Sequence, residues 1–415
     1  MILTANLELF EESLSILSTK FKQNLKSYLN TKDIEGTSPI LYAAYRGNIK
    51  IIEILIEKGA DYHDTTNKKL NVIHMASQGD NPNVIIYFKD KYNMSILDVD
   101  INGNTPLHWA CYNCADHSVN YLLAYMNNIN IQNNIGQTPL HIAIFTERVR
   151  IIKKLINRGI DILIRDNDNK NAIQLAIQNT GASSKVTRTL IENKPLKSWF
   201  FNNTSVQDRF INSITFLFFF ILYSIIIYFT QLRYLSSKYS FLFLIINCIY
   251  FIVFYIINKS NPGYIESKND ESWLDLVKKG EDINNMCPYC KIRKEKFSKH
   301  CYTCEKCVKE QAHHCILFGN CVGKENKYLY IFYLMVVIIY FAVSYFISFR
   351  VFLLPEIRIN KQKPYLAIFI FFKETFRDFI AILVMTNAIF AFGICGFLIF
   401  KQIRKMVINE KMKEM

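Results

Sequence analysis

Charged residues are scarce in this sequence: they make up 20% of its 415 residues, against 51% for apolar residues. This is a low share of charge for a purely soluble protein. Residues 1–30 have neither a basic leader nor an unbroken apolar core, and we therefore expect no secretory signal peptide. Cysteine is rare outside one segment, since seven of the eleven cysteines lie between Cys287 and Cys321. Such clustering without a secretory leader indicates metal binding or catalysis rather than disulfides.

The first half of the chain is periodic. One small residue recurs at intervals of 33 or 34 positions, as Ala43, Ala76, Ala110, Ala143 and Ala176. Two of these alanines end the segments Thr-Pro-Leu-His-Trp-Ala and Thr-Pro-Leu-His-Ile-Ala, and the period and this opening resemble the ankyrin repeat. Thr suits a helix N-cap, Pro fits the first turn, and Ala lets paired helices approach closely. The sequence therefore predicts capping helices over residues 1–32 and an ankyrin-repeat solenoid of about five repeats over residues 33–195.

Ankyrin arrays are scaffolds, so this half of the chain predicts the recruitment of protein partners rather than chemistry. His108 and His141 are expected to hydrogen-bond the backbone between repeats. Gly59 and Gly159 follow apolar helix patterns, where a left-handed C-cap is favoured. Trp109 has two interpretations: it fills the groove between helices, or it is exposed for partner recognition.

The second half contains four uncharged apolar runs. Each has 18 to 22 residues, which is long enough to cross a hydrocarbon core as a helix, and they cover residues 211–230, 240–257, 329–349 and 379–400. We expect two pairs of spans, over residues 211–257 and 329–400, and a tail over residues 401–415. Asn247 and Asn387 lie inside two of the runs, where an amide is expected to hydrogen-bond a neighbouring helix.

Four spans place both ends of the chain on one side of the membrane. Because an ankyrin array folds in the cytosol, we expect both termini and residues 258–328 to be cytosolic, and the basic residues of that segment agree. The sequence therefore predicts a multi-pass protein of an endomembrane or the plasma membrane. The net charge of +14 indicates a basic surface beside anionic lipid rather than nucleic-acid binding.

The segment between the second and third runs is rich in metal-ligand residues. Ten candidates occur within 35 residues: Cys287, Cys290, His300, Cys301, Cys304, Cys307, His313, His314, Cys315 and Cys321. A tetrahedral zinc site takes four Cys or His ligands, and a C-x2-C pair can reach one ion from a tight turn. Two zinc sites would use eight of the ten, so two residues remain to be explained.

The same segment resembles the DHHC family of palmitoyltransferases. The resemblance rests on the run Asn320-Cys321-Val322-Gly323, on Asn326 and Tyr330 after it, and on Asn261-Pro262-Gly263 after the second span. Together with the repeats it implies the ankyrin-bearing subgroup. The expected fold is therefore all-α: an ankyrin solenoid, then a four-helix transmembrane domain with a cytosolic two-zinc loop over residues 258–328.

The resemblance also implies roles for single residues. One structural zinc ion is expected on Cys287, Cys290, His300 and Cys307, and the other on Cys301, Cys304, His314 and Cys321. Cys315 is then the nucleophile and His313 its general base, because only a thiolate attacks a thioester. The expected reaction moves a long-chain acyl group, such as palmitoyl, from acyl-CoA to Cys315 and then to a cysteine of a substrate protein. The alternative for Cys315 is a spare zinc ligand.

The sequence departs from the family beside the nucleophile. The Asp that precedes the two histidines in the family, and that orients the first of them, is Ala312 here. Glu310 is close enough in sequence to replace it. This departure leaves a second hypothesis open, in which the protein is a weak or inactive adaptor that recruits partners to a membrane. A third hypothesis, an ankyrin-bearing channel, has no obvious pore segment to support it.

Overall fold

A computed structural model describes residues 7–20, 24–192, 217–218, 220–229, 237–266, 271–315, 318–353, 376, 378–391, 393–400 and 403–404. The chain forms two compact units: residues 1–197 with 267–293, and residues 198–266 with 294–415. The first unit contains α1 to α12 and α15: Leu7–Lys20, Leu25–Leu29, Pro39–Arg46, Ile49–Glu57, Val72–Gln78, Pro82–Tyr92, Pro106–Tyr112, Asp116–Tyr125, Pro139–Phe145, Val149–Asn157, Ala172–Thr180, Lys185–Glu192 and Trp273–Lys278. The second unit contains α13, α14, α16 and α17: Phe220–Phe229, Ser237–Lys259, Lys327–Phe352 and Asp378–Phe400.

Five consecutive helix pairs, from α3 to α12, follow the period of the sequence. The five recurring alanines are fully buried, because any larger side chain there would force the helices apart. Two helices, α1 and α2, precede the repeats. Gly59 and Gly159, which follow α4 and α10, have φ of +95° and +91°, in agreement with the predicted left-handed conformation.

Buried histidines link successive repeats. The Nδ1 atom of His108 accepts the backbone N–H of Thr105 at 3.1 Å, which leaves Nε2–H to donate to the Gln137 carbonyl of the next repeat at 3.0 Å. His141 makes the same pair of contacts, with Thr138 and the Lys170 carbonyl. Burial lowers the pKa of His108 to about 4, so the ring is neutral in the folded array. The structural role predicted for both histidines is confirmed.

A short segment after the second apolar run packs on the repeats. Trp273 of α15 is 3% exposed, its indole N–H donates to the hydroxyl of Tyr125, and its ring meets Tyr121 edge to face at 6.2 Å. Ser272 caps α15 by accepting the backbone N–H of Asp275. Further apolar residues of this segment, Leu276, Val277, Ile283 and Met286, join the core of the repeats. Residues 267–293 therefore belong to the ankyrin unit, which the sequence did not indicate.

The second unit is built on long apolar helices. Three of them, α14, α16 and α17, are long and apolar enough to cross a membrane. Of the first predicted span, residues 211–230, the structure describes residues 217–218 and α13, and the rest lies outside the described residues. The hydroxyl of Ser224 on α13 donates to the Asn247 side chain on α14 at 2.8 Å, as predicted for Asn247. Asn387 instead donates to the Leu383 carbonyl of its own helix.

Aromatic side chains fill the space between α13, α14 and α16. Phe220 stacks on Tyr250 with ring centroids 3.6 Å apart and lies 4.5 Å from the Tyr340 ring. The hydroxyls of Tyr250 and Tyr333 are 3.2 Å apart, and Ser224 contacts the Tyr340 hydroxyl at 2.9 Å. Pairing these hydroxyls with one another lets the bulky rings be buried without leaving polar groups unsatisfied.

The cysteine-rich segment contains short antiparallel strands, so the all-α prediction is wrong there. The strands form three hairpins, β1–β2, β3–β4 and β5–β6, and their ranges are Met286–Cys287, Ile292–Arg293, Lys299–Cys301, Lys306–Val308, His313–Cys315 and Asn320–Val322. Strands of two or three residues carry no readable alternation, which is why the sequence did not reveal them.

Candidate functional site

The eight predicted zinc ligands fall into two groups of four. The ligand atoms of each group lie within 4.8 Å of one another. One group is Cys287, Cys290, His300 and Cys307, and the other is Cys301, Cys304, His314 and Cys321. The hairpins explain the grouping, because His300 lies directly opposite Cys307 in β3–β4 and His314 directly opposite Cys321 in β5–β6.

The second group has the geometry of a tetrahedral site. A zinc ion with Zn–S near 2.3 Å and Zn–N near 2.0 Å needs ligand atoms roughly 3.5 to 3.8 Å apart. The Nδ1 atom of His314 lies 3.3 Å from Cys304 Sγ, 3.7 Å from Cys301 Sγ and 3.6 Å from Cys321 Sγ. The Cys304 and Cys321 sulfurs are 3.5 Å apart. The side chains therefore fit a zinc ion, and no fifth ligand-type side chain belongs to either group among the described residues.

The crowded thiols change one another's protonation. Hydrogen bonding from Cys304 lowers the pKa of Cys301 strongly, whereas the hydrogen bond to Cys301 raises the pKa of Cys321. Burial opposes protonation of His314, but its hydrogen bonds to Cys301 and Cys304 outweigh it and raise its pKa to about 9. Three neighbouring thiols cannot all ionise without a cation to balance them, so this donor set suits a divalent metal.

Strand alternation separates the two surplus residues from the metal ligands. Successive side chains of a strand point to opposite faces. His313 and Cys315 of β5 therefore share one face, and His314 between them points to the other face, toward Cys301, Cys304 and Cys321. The expectation that His313 and Cys315 are not zinc ligands agrees with this geometry, since neither belongs to the two groups.

Cys315 lies in the apolar core of the second unit. It is 7% exposed, and this core also includes Phe318, Val322, Tyr330 and Tyr333. The ring of His313 meets the ring of Tyr330 edge to face, with centroids 5.3 Å apart, and Phe318 packs against Tyr330 at 5.9 Å. The thiol is thus surrounded by aromatic side chains of β5–β6 and of the first turns of α16.

Asparagines connect the β5–β6 hairpin to the end of α14. Asn258 donates to the Phe318 carbonyl at 2.7 Å. Asn320 donates to the Ser260 carbonyl at 2.8 Å, and Asn326 donates to the Ser260 hydroxyl at 3.1 Å and the Cys321 carbonyl at 2.9 Å. Sequence reasoning noted Asn320 and Asn326 as motif residues without assigning them a contact, and it did not single out Asn258.

The Asn-Pro-Gly turn packs under the same hairpin. Asn261 accepts the backbone N–H groups of Gly263 and Tyr264, which forms the turn after α14. Gly323 approaches this turn so closely that a Cβ on it would lie 2.1 Å from the Pro262 carbonyl oxygen. A side chain at position 323 would therefore push the hairpin away from the end of α14.

Position 312, where the family has an aspartate, is an alanine in this chain. Ala312 is partly buried against the same core as Cys315, and its backbone N–H donates to Val322 across the hairpin. The carboxylate of Glu310, the suggested substitute, pairs with Lys327 at 3.4 Å, and both side chains are largely buried.

Trp109 lies on the first helix of the third repeat and is half-buried. Its indole N–H donates to Asp100 at 3.0 Å, and its ring meets Tyr112 edge to face at 5.9 Å. Both predicted interpretations therefore describe part of its environment: the ring packs on the repeat core, and one side is accessible.

Known protein families match both halves of the chain. The DHHC palmitoyltransferase model matches residues 280–415, and the ankyrin repeat model matches residues 40–133 and 116–198. The palmitoyltransferase ZDHHC13 of Homo sapiens is 23% identical over 72% of this chain and 58% of its own length. The palmitoyltransferase AKR1 of Lachancea kluyveri is 31% identical over 36% of this chain and 22% of its own length.

A third relative, the palmitoyltransferase ZDHHC17 of Danio rerio, is 27% identical over 62% of this chain and 45% of its own length. The chain thus spans somewhat more than half the length of the ZDHHC13 relatives that it matches. Repeats, apolar helices and cysteine-rich hairpins occur here in one chain, and the matched models cover the repeats and the hairpins. The chain therefore combines ankyrin repeats with a segment that matches the DHHC palmitoyltransferase family.

Proposed function

We propose that this protein is a protein S-acyltransferase in which Cys315 carries the acyl group. The observation that carries this proposal is the shared strand face of His313 and Cys315, which points away from the metal-ligand face and into aromatic residues of the apolar helices. A spare zinc ligand would be expected on the face of His314. An apolar surrounding for a thiol suits a reaction whose donor carries a long hydrocarbon chain.

The proposed reaction has two thioester exchanges. The Cys315 thiolate attacks the carbonyl carbon of palmitoyl-CoA, the bond from that carbon to the CoA sulfur breaks, and CoA leaves as the thiol with the proton that His313 had taken from Cys315. A cysteine thiolate of the substrate protein then attacks the acyl carbon on Cys315, and Cys315 is released. Each step replaces one thioester by another, so no further reactant is needed.

The remaining parts have supporting roles in this proposal. Two zinc ions would tie the hairpins together, because a segment this small has little core of its own. The apolar helices would hold the acyl chain away from water, with both termini and the cysteine-rich segment on the cytosolic side of an endomembrane or the plasma membrane. The bilayer and the substrate proteins are the expected partners.

The ankyrin repeats would recruit the substrate proteins. Three exposed aromatic residues, Tyr45, Tyr112 and Phe145, stand two positions after the recurring alanine in three repeats and are 37%, 59% and 50% exposed. They occupy equivalent positions of their repeats, and Tyr112 contacts the ring of Trp109. Exposed aromatic side chains are frequent anchors in protein interfaces. Replacing Tyr112 and Phe145 by Ala should reduce substrate acylation and leave acylation of Cys315 itself unchanged.

The test of the enzyme is acylation of the purified full-length protein by a palmitoyl-CoA analogue. We expect a hydroxylamine-sensitive label on wild type and none on Cys315→Ser. Cys248→Ser is the matched control, since Cys248 lies on α14 and is exposed. Equal labelling of wild type and Cys315→Ser would refute the proposal.

The second candidate is a weak or inactive adaptor, and Ala312 is the observation that favours it. The Ala312→Asp variant separates the two functions. A modest rise from a measurable wild-type rate agrees with an enzyme whose cysteine is active without the orienting carboxylate. A wild-type rate at background that becomes large in Ala312→Asp would show that the natural protein is an adaptor.

A further inference from the structure

We propose that Asn320 is a positioning residue: its side chain holds the Cys315 strand at the C-terminal end of α14. Asn320 lies directly opposite Cys315 in the β5–β6 pair. Directly opposed side chains in an antiparallel pair lie on the same face of the hairpin. The inference rests on the proposed acyltransfer at Cys315, and it concerns how that thiol is placed.

The end of α14 supplies acceptors for the Asn320 amide. The last carbonyl groups of a helix have no partner within the helix and carry partial negative charge. The Asn320 Nδ2 atom lies 2.8 Å from the Ser260 carbonyl oxygen, 3.2 Å from that of Asn258 and 3.4 Å from that of Ile257. Asn320 is 7% exposed, so these contacts form where water does not compete well.

The oxygen of the same side chain is also used. Asn320 Oδ1 accepts the backbone N–H of Cys321 at 2.8 Å and the hydroxyl of Tyr264 at 3.1 Å. The amide nitrogen of Asn320 thus donates to the end of α14, and its oxygen accepts from the hairpin and from the turn after α14. Only an amide of this length can do both, because a carboxylate cannot donate and an aliphatic side chain can do neither.

Asn258 makes a matching contact from the helix side. It belongs to α14, and its amide donates to the Phe318 carbonyl, three residues after Cys315, at 2.7 Å. Phe318 and Asn320, which follow Cys315 in the chain, are therefore attached to the end of α14 by side chains from both elements. If the acyl chain enters the space between the apolar helices, this attachment sets the depth from which the chain starts.

Misplacing a reacting group by about 1 Å can cost roughly a hundredfold in rate. Loosening the attachment should therefore slow acylation of Cys315 and change the acyl chain length that reacts best. A role limited to stability would lower the amount of folded protein without altering the preference among chain lengths.

The test uses the full-length protein in lipid nanodiscs and three variants. Asn320→Asp keeps the acceptor for Cys321 and Tyr264 but loses the donor to α14, and Asn258→Ala removes the second contact at a position that is not adjacent to a zinc ligand. Asn71→Ala is the control, since Asn71 is a buried helix cap in the repeats and lies outside the site. Rates of Cys315 acylation are measured with lauroyl-, palmitoyl- and stearoyl-CoA, together with zinc content and amide hydrogen exchange of residues 318–322.

We expect Asn320→Asp and Asn258→Ala to keep both zinc ions, lose exchange protection over residues 318–322, acylate more slowly and show a changed chain-length preference, unlike Asn71→Ala. Wild-type rates and preference in both variants would overturn the inference. If Asn320→Asp loses zinc, the acylation rate, chain-length preference and exchange protection of Asn258→Ala alone decide whether the inference holds. If wild type itself is not acylated, the proposed function fails, and unchanged exchange protection in the variants would still refute the positioning role.

Discussion

His313 and Tyr330 meet edge to face, with ring centroids 5.3 Å apart and planes inclined by 71°. Tyr330 is 2% exposed and is itself packed against Phe318, so its ring has little freedom to move. The contact lies beside Ala312, where the family has a carboxylate that orients the histidine. An aromatic neighbour can restrict an imidazole ring, although it supplies no negative charge.

This contact predicts that Tyr330 and residue 312 both affect the orientation of the His313 ring. We expect Tyr330→Leu to slow acylation of Cys315 by a larger factor in the wild-type background than in Ala312→Asp, because the carboxylate would then orient the ring instead. The four rates of this double-mutant cycle are measured with palmitoyl-CoA. Equal factors in the two backgrounds would mean that Tyr330 acts only by shaping the apolar surroundings of Cys315.

Zinc content should follow the two ligand groups. We expect two zinc ions per wild-type chain, one per chain in Cys304→Ser if the hairpins persist, and two in Cys114→Ser, a matched change in the repeats. Removing a ligand from a small metal domain also removes folding energy. Metal analysis of the purified chains provides the measurement, and a Cys304→Ser protein with two tightly bound zinc ions would contradict the assignment of Cys304.

The repeats should lose stability as the pH falls from about 6.5 toward 4. Burial holds the pKa of His108 at about 4, below the ordinary value of 6.5, and burial also lowers the pKa of His74 and His141. The unfolded chain therefore binds more protons in this interval, and the free energy of unfolding decreases on acidification. For His108 alone the full effect is on the order of 3 kcal/mol.

His108→Gln tests this pH dependence without removing the helix cap. In the fifth repeat Gln174 already occupies the equivalent position and accepts the backbone N–H of Asn171 at 3.0 Å. We expect amide exchange in the third and fourth repeats to rise less on acidification in His108→Gln than in wild type. His63→Gln, an exposed site, serves as the control. An identical pH response of wild type and His108→Gln would exclude His108 as its source.

Trp273 should stabilise the packing of its segment on the repeats. Replacing a buried Trp by Ala costs about 3 to 5 kcal/mol, so Trp273→Ala should raise amide exchange in residues 272–286 and in α8. Tyr125→Phe keeps the ring and removes only the hydroxyl that Trp273 contacts, and it should have a smaller effect in the same peptides. Unchanged exchange in Trp273→Ala would show that this packing does not persist in solution.

The sequence predicted the repeats well because their signal is repeated. The recurring alanines and the Thr-Pro-Leu-His segments each predict the same local structure, and they occur several times. The long uncharged runs predict helices because each contains many apolar residues. The packing of Trp273 on the repeats had no such signal, because it depends on a contact between residues far apart in the chain. The short strands were missed for the opposite reason, since they are too brief to show a period.

The sequence predicted which residues form the site, but it did not predict how the site is attached to α14. Ligand spacing identified ten candidates, and the family resemblance divided eight of them into the two groups of four that the structure brings together. The attachment of Asn320 and Asn258 to opposite elements depends on where α14 ends relative to the hairpin. Side-chain amides that bond backbone carbonyls leave no pattern in one sequence, and only their positions in space reveal them.

Cys315 is the residue on which the account depends most directly. The purified full-length protein, incubated with palmitoyl-CoA and digested, should yield the Cys315 peptide with a hydroxylamine-labile palmitoyl group by mass spectrometry. The acyl group should then move to a substrate cysteine when the substrate protein is added. An unmodified Cys315 peptide in folded, zinc-loaded protein, or an acyl group found only on other cysteines, would contradict the account.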